Sequence, residues 1–175
     1  MTAEELLVYS GAEYCELVRG ELVIYEPPSF RHGAAVMAIA APLAAYVKQR
    51  ALGTVVVESG CVLQRAPDTV RGPDISFVSR ARLSPDQIDE TYLEGAPDLV
   101  IEVLSPSNTR RQIREKVADY LAAGARLIWV VDPRAKHVVV YRADVPAEVV
   151  PWNEPLDGGE VIPGFTITIA DLISG

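Results

Sequence analysis

The chain has 175 residues, of which 49% are hydrophobic and 23% are charged, and this length and balance fit one folded domain and argue against a disordered chain. Its two cysteines form no CxxC pair and it has only two histidines, which argues against a disulfide framework or a structural zinc cluster. The formal net charge is −8, so binding to a nucleic acid would have to depend on a local basic surface.

The N-terminal sequence MTAEELLVYS contains acidic residues and lacks the basic region and long apolar core of a signal peptide. No apolar run approaches the roughly 18 to 20 residues that a membrane span needs. The longest apolar helix candidate, near residues 34–47, is alanine-rich and shorter than that. We therefore expect a cytoplasmic protein with no membrane segment.

The first part of the chain is predicted to contain a hairpin, a helix and further strands. Residues 15–25 (CELVRGELVIY) predict a β-hairpin with its turn at Arg19-Gly20. A helix is predicted over about residues 31–50. Residues 54–64 (TVVVESGCVLQ) predict a strand pair or one bent strand, interrupted at Ser59-Gly60.

Two strand candidates lie on either side of a predicted surface loop. Residues 73–78 (PDISFV) predict a short strand after a turn at Gly72, and residues 84–92 predict the loop, with one helical turn. Residues 98–104 (DLVIEVL) are nearly all apolar. This composition favours a central strand that is covered on both faces.

A helix and two further strands are predicted after this central strand. The helix has Ser107 as a candidate N-cap and ends near Ala123. Residues 127–131 and 137–141 predict two strands joined by an Asp-Pro-Arg turn. Short strands and turns are also predicted in the tail, at residues 149–150, 161–162 and 165–169. Together these elements predict a mixed α/β fold over residues 1–175, with a central mixed sheet flanked by helices and an N-terminal hairpin.

Glu102 lies inside the apolar strand candidate. Burying an unpaired carboxylate costs several kcal/mol, so Glu102 must be paired, protonated or bound to a cation. Asp98 shares its face of the strand but lies about 13 Å away, too far to share one ion. Asp74 opens the preceding strand, and adjacent strands lie only about 4.8 Å apart. If these strands pair in a suitable register, the two carboxylates converge as Mg²⁺ or Mn²⁺ ligands.

Lys116 lies at the edge of the apolar stripe of the predicted helix, one turn before Tyr120. From there it could reach the end of the Glu102 strand and neutralise a phosphate. Each candidate also has a structural alternative. Asp74 can be a strand-start capping residue, Lys116 can be a surface lysine with a buried aliphatic stem, and Glu102 can belong to a buried ion pair.

The succession of Pro73-Asp74, then Glu102 in an apolar strand, then a helix with Lys116 resembles the PD-(D/E)XK nuclease superfamily. More closely, the stretch IEVLSPSNTRRQIREKVADYLAAGARLIWVVDP resembles the Uma-type family of predicted restriction endonucleases. The hairpin sequence ELVRGELV, the following His32-Gly33 and the C-terminal PGFTITIADL also fit that family. The resemblance covers nearly the whole chain and implies a restriction-endonuclease-like core.

The resemblance implies that Asp74 and Glu102 bind Mg²⁺ or Mn²⁺ and that Lys116 replaces the usual active-site lysine. In the superfamily motif that lysine follows the strand carboxylate by two positions, where this chain has Leu104. Gln112 stands where relatives often carry an acid, which bears on a second metal ion. The resemblance, together with edge strands and an apolar C-terminal segment, also leads us to expect a homodimer.

Further candidates surround this constellation. His32 is either an additional ligand or phosphate contact, or a hydrogen-bonding group at a helix terminus. Glu16 and Glu21 either face the same cleft or are solvated charges at a strand edge. Arg110 and Arg111 belong to the segment 107–126, which has five basic and two acidic residues. That segment is either a phosphate-binding surface or a solvated helix face.

These residues predict a Mg²⁺- or Mn²⁺-dependent endonuclease that hydrolyses DNA. The alternative is a catalytically silent binding or assembly module that retains the nuclease fold, which the acidic net charge and the missing strand lysine favour. A nucleotide-binding domain is poorly supported because no GxGxxG or Walker-type loop follows a predicted strand. Serine chemistry lacks a GxSxG motif, and neither cysteine has a convincing histidine partner.

Overall fold

The computed structural model describes residues 1–11 and 14–173. The helices are α1 (Ala3–Leu7), α2 (Phe30–Gln49), α3 (Arg110–Ala122) and α4 (Ile169–Leu172). The strands are β1 (Cys15–Val18), β2 (Glu21–Ile24), β3 (Gly53–Val57), β4 (Cys61–Gln64), β5 (Thr69–Arg71), β6 (Ile75–Ser79), β7 (Leu93–Glu94), β8 (Leu99–Val103), β9 (Leu127–Asp132), β10 (His137–Tyr141), β11 (Glu148–Pro151), β12 (Pro155–Asp157) and β13 (Thr166–Thr168). A 3₁₀ turn covers Pro85–Gln87.

The core of the protein is a six-stranded mixed sheet in the order β11-β10-β9-β8-β6-β3. β8 and β9 are parallel, and α3 provides the crossover connection that a parallel pair needs. The other neighbouring pairs of this sheet are antiparallel. All five residues of β8 are buried. The predicted central strand, covered on both faces, is therefore confirmed, as is the predicted mixed α/β fold.

Each face of this large sheet is covered by one of the long helices. On one face, Ile101 and its alternate neighbours on β8 form an apolar core with Ile39 and Leu43 of α2. On the other face, Val100 belongs to a second cluster with Val117 of α3. Side chains alternate along a strand, so β8 supplies both clusters.

A smaller five-stranded sheet has the order β2-β1-β5-β4-β7. Its β1–β2 hairpin confirms the predicted one. Arg19 and Gly20 both adopt positive φ, 50° and 82°, as a two-residue type I′ loop requires. Leu6 of α1 packs with Leu17 and Val70 in a small apolar cluster on this sheet.

The segment 54–64 differs from the sequence-based prediction, because it forms neither a strand pair nor one bent strand. β3 pairs with β6 in the large sheet, whereas β4 pairs with β5 and β7 in the small sheet. Glu58 changes the chain direction with a positive φ of 50°. The segment therefore connects the two sheets.

α2 is longer than the apolar candidate at residues 34–47, and its length and composition alone would allow it to cross a membrane. Core helices of soluble proteins meet the same criterion. Six apolar residues of α2 are buried, and all six belong to the cluster with the large sheet. α2 is thus packed as a core helix.

The predicted N-cap of α3 is corrected. α3 is capped by Thr109 and not by Ser107. The Thr109 hydroxyl accepts the Gln112 N–H at 3.2 Å, and the Gln112 side chain accepts the Thr109 N–H at 2.9 Å, which forms a capping box. In the tail, residues 161–162 form a turn, in which the buried Ile162 donates its N–H to the Gly158 carbonyl.

Candidate active site

The pairing of β6 with β8 brings Asp74 next to Glu102. Ile75 lies opposite Ile101 in the antiparallel ladder, so the next position in the same register places Asp74 opposite Glu102. The Val103 N–H donates to Asp74 Oδ2 at 2.6 Å. The two strands are therefore neighbours, as convergence of the carboxylates requires. Asp98 lies at the other end of β8, where it accepts the Ser79 N–H at 2.8 Å.

Glu102 is 5% exposed and receives two donors from α3. Lys116 Nζ lies 3.3 Å from its Oε1 and 3.5 Å from its Oε2, and the Tyr120 hydroxyl donates to Oε1 at 2.7 Å. Residues four apart on a helix present their side chains to the same side. Tyr120 was predicted only as part of an apolar stripe, although its spacing from Lys116 could have indicated a shared partner.

Glu16, from the hairpin of the small sheet, binds the other side of the same ammonium. Lys116 Nζ lies 3.0 Å from Glu16 Oε1. Oε1 also accepts the Gly72 N–H, and Oε2 accepts the Tyr25 hydroxyl and Arg71 Nη1, at 3.1, 2.9 and 2.9 Å. Glu16 is thus a fully hydrogen-bonded buried carboxylate. Lys116 is held between a carboxylate from each sheet.

Arg71 connects this cluster to a second acid on α3. Its Nε and Nη2 donate to Asp119 Oδ2 at 3.0 and 2.6 Å, while its Nη1 binds Glu16. The Arg71 side chain is 5% exposed. Sequence analysis missed Arg71 and Asp119, because β5 was not predicted and no local pattern relates these positions. The one available signal was that Arg71 lies three residues before Asp74.

His32 is placed beside Asp74 by the first turn of α2. The Ser29 hydroxyl caps this helix by accepting the His32 N–H at 3.2 Å. His32 Nε2 lies 3.2 Å from Asp74 Oδ1. The hydrogen bond to Asp74 raises the pKa of His32, although burial opposes the shift. Nδ1 is buried and has no hydrogen-bond partner within the described part of the chain.

The charges of this cluster are unevenly balanced. Burial raises the pKa of Glu102 to about 7, opposed by Lys116 and reinforced by Asp74 and Glu16. Burial also opposes the charged form of Glu16, but Lys116 and Arg71 outweigh it and lower the pKa of Glu16. For Lys116, the attraction of Glu102 and Glu16 outweighs burial and raises its pKa. Negative charge is therefore least compensated at Glu102.

This arrangement fits a hard divalent cation. Asp74 and Glu102 offer carboxylate oxygens from neighbouring strands, in a cluster that is short of positive charge. Within residues 1–11 and 14–173, no group of three His, Cys, Asp or Glu side chains forms a ready ligand cage. An ion held by one or two carboxylates, with water and phosphate as its other ligands, is the coordination that Mg²⁺ usually takes in proteins.

The other predicted site residues lie outside the cluster. Glu21 is exposed next to the hairpin turn, and its carboxylate makes no hydrogen bond or ion pair with the described residues of the cluster. Arg110 and Arg111 are exposed in the first turn of α3, where Arg111 Nη1 lies 3.5 Å from Glu115 Oε1. Arg110 is about 9 Å from Lys116 along the helix axis, at the rim of the site.

The fold is that of a nuclease-like mixed α/β protein. It is similar to the crystal structure of a putative nuclease belonging to DUF820 from Anabaena variabilis ATCC 29413, with a TM-score of 0.87, 24% sequence identity and coverage of 99% of this chain and 98% of that chain. The sequence matches the Uma2 family, described as "Putative restriction endonuclease", over residues 3–170. The chain therefore belongs to the Uma2 family. No curated protein matches it significantly.

Proposed function

We propose that this protein is a divalent-metal-dependent endonuclease that hydrolyses phosphodiester bonds in DNA. The observation that carries the proposal is the meeting of Asp74 and Glu102 across neighbouring strands, with the Lys116 ammonium on the Glu102 carboxylate. Membership of the Uma2 family supports a nuclease.

Asp74 and Glu102 would hold Mg²⁺ or Mn²⁺. When bound, such an ion supplies Lewis-acid polarisation of a phosphate and makes nearby water more acidic. Lys116 would stabilise negative charge that develops on the phosphate, because its ammonium is buried close to the carboxylates. Glu16 fixes the position of that ammonium, and His32 fixes the orientation of Asp74.

The surface around the site would bind the DNA backbone. Arg110 and Arg111 are exposed in the first turn of α3, and their guanidinium groups suit phosphate oxygens. This local positive charge would offset the net charge of −8. The cytoplasmic location and the homodimer expected from the sequence remain part of the proposal, and size-exclusion chromatography with light scattering tests the latter.

A silent binding or assembly module is the second candidate, and one observation favours it. Lys116 is already bound by Glu16 and Glu102, and the Tyr120 hydroxyl already occupies Glu102 Oε1. The polar groups of the cluster thus satisfy one another in part, as in a structural ion-pair network.

The deciding experiment combines cleavage with metal binding. Supercoiled, linear and single-stranded DNA are incubated with the protein and Mn²⁺ or Mg²⁺, and calorimetry measures binding of the ions. Asp74→Asn and Glu102→Gln should each reduce cleavage by about a hundredfold or more, since even residues that only orient a ligand change metal affinity about 10- to 100-fold. Glu21→Gln, an exposed acid outside the cluster, is the matched control.

Cleavage that persists in Asp74→Asn would contradict the assignment of the site. Absence of both cleavage and ion binding in the wild type would favour the silent module.

A further inference from the structure

A second site lies beside the proposed active site, in a cavity of about 340 Å³ between the two sheets. One wall is formed by β3 and β6, whose facing pairs are Thr54 with Val78 and Val56 with Ser76. The opposite wall is formed by the loop and strand at residues 82–94 together with β4. The volume of the cavity is near the lower end of the roughly 300 to 1,000 Å³ typical of small-molecule sites.

The cavity and Glu102 share one face of the large sheet. Ser76, which lines the cavity, lies opposite Val100, and Val100 precedes Glu102 by two residues. Positions two apart on a strand point to the same side and are about 7 Å apart. The cavity therefore begins one pair of side chains away from Glu102.

Much of the cavity surface is apolar or aromatic. Val56 and Val78 line one wall, while Ile88 and Tyr92 line the other. The Tyr92 ring packs closely on Gly60, since a Cβ at that glycine would lie 2.3 Å from the ring carbon Cδ1. The tyrosine therefore has a defined position in the wall. Such surfaces suit the faces of a flat ring.

The polar groups of the cavity indicate the charge of its ligand. Ser76 is 1% exposed, and its hydroxyl has no hydrogen-bond partner among the residues that the structure describes. Asp89 and Glu94 add carboxylates, of which Glu94 is paired with Arg65, a residue that does not line the cavity. Arg82, the one basic residue among the described lining residues, donates to the Ala96 carbonyl at 2.7 Å. An anionic group is therefore disfavoured, and an uncharged ring with hydrogen-bonding edges fits.

The cavity also contains Cys61, which does not act as a nucleophile there. Burial raises the pKa of its thiol to about 12, so the reactive thiolate is scarce near neutral pH. Its Sγ lies 3.6 Å from the Ser59 carbonyl. Cys61 thus lines the cavity without a catalytic role.

We propose that this cavity binds an uncharged nucleobase of the substrate strand, from a nucleotide next to the phosphate held at Asp74 and Glu102. The inference rests on the proposed nuclease function. The apolar side chains and the Tyr92 ring contact the faces of the base, and the Ser76 hydroxyl pairs with its edge. A base must leave its stack to enter, and the free-energy cost of this step is lowest for unpaired bases. The preferred substrate is therefore single-stranded or mismatched DNA.

Binding of free nucleosides tests the cavity without any cleavage. Adenosine, guanosine, cytidine and thymidine are titrated into the wild type and into Asp74→Asn, without divalent metal, and followed by saturation-transfer NMR. At least one nucleoside should bind both proteins equally. Inorganic phosphate should not displace it.

Three variants locate the binding. Val56→Trp fills the cavity and should weaken nucleoside binding at least tenfold. Val57→Trp is the matched control, because the Val57 side chain points to the other face of β3, is 48% exposed and does not line the cavity. The Val57→Trp variant should bind nucleosides as the wild type does. Ser76→Ala should weaken binding several-fold without lowering the Tm, because it removes a buried unpaired hydroxyl.

The outcomes separate this inference from the proposed function. Failure of every nucleoside to bind the wild type, or unchanged binding in both Val56→Trp and Ser76→Ala, would overturn the base-binding site even if DNA is cleaved. Displacement by phosphate would also overturn it. Nucleoside binding that these variants abolish, in a protein that cleaves no DNA, would support the cavity and contradict the nuclease.

Discussion

Both faces of β8 are buried in apolar clusters, but only one of them also carries a buried carboxylate. Ile101 lies in an apolar core with α2, whereas Glu102 on the other face meets an ammonium and a phenol from α3. The buried residues of α2 are all apolar, while α3 presents Lys116 and Tyr120 between its buried apolar residues. Alternation along one strand thus places Glu102 among polar partners and Ile101 among apolar ones, and substitutions around these two residues should have different consequences.

The largest effect should come from the polar cluster that adjoins Glu102. Arg71→Met should lower the free energy of unfolding by about 3 to 5 kcal/mol, because it leaves Asp119 without its cation and Glu16 with Lys116 as its one remaining cation among the described residues. Urea denaturation measures the change. Arg111→Met is the control, since Arg111 is 78% exposed in its ion pair with Glu115, and it should change stability by no more than about 0.5 kcal/mol. Equal effects of the two substitutions would show that the buried network does not stabilise the fold.

Substitutions on the apolar face of β8 should lower stability without changing metal binding at the proposed site. Ile101→Ala should cost about 2 to 5 kcal/mol, because Ile101 is fully buried and its removal leaves a cavity. The milder Ile101→Val should cost about 0.5 to 1.5 kcal/mol. Calorimetry on the folded fraction should find unchanged affinity for Mn²⁺. A large loss of that affinity would mean that the two faces are coupled.

A smaller effect should follow from removing one hydroxyl. Tyr120→Phe removes the 2.7 Å hydrogen bond to Glu102 and should cost about 1.5 kcal/mol, the lower end for a bond to a charged group. Tyr25→Phe is the matched control, because Glu16 keeps three other donors. Chemical denaturation should therefore rank Tyr120→Phe as the more destabilising change. The reverse order would contradict the view that Glu102 is the less compensated carboxylate.

The last expected effect is a change in the pH dependence of stability. The pKa of Glu102 rises from 4.5 to about 7 on folding, so the folded protein holds a proton that the unfolded chain releases. This contribution is present below about pH 4.5 and is lost as the pH rises through about 7. In metal-free buffer, Glu102→Gln should flatten the decline of unfolding free energy over this window. A slope equal to that of the wild type would exclude Glu102 as its source.

The parts of the site that sequence analysis could predict are those set by local spacing. Glu102 lies in one short strand and Asp74 directly precedes another, and the spacing between adjacent strands indicated that the two residues could pair. Lys116 follows from the helical period. Arg71 and Glu16 contact each other across 55 residues of sequence, and no local pattern encodes such a distance. The sequence analysis treated β3 and β4 as one strand pair or one bent strand. The sheet to which a strand belongs depends on tertiary contacts, and these contacts cannot be recognised from two strands that are merely adjacent in sequence.

Lys116 lies between the two sheets, so its ion pairs depend on whether both sheets stay folded and docked. Glu102 belongs to the large sheet and Glu16 to the small one, so the ammonium has both partners only while the sheets are docked. Proteins often open in contiguous cooperative units below the energy of global unfolding. Local opening of the hairpin sheet would release Lys116 from Glu16 while β8 keeps its hydrogen bonds. Amide exchange in β1 and β2 would then report how often the site comes apart in an otherwise folded molecule.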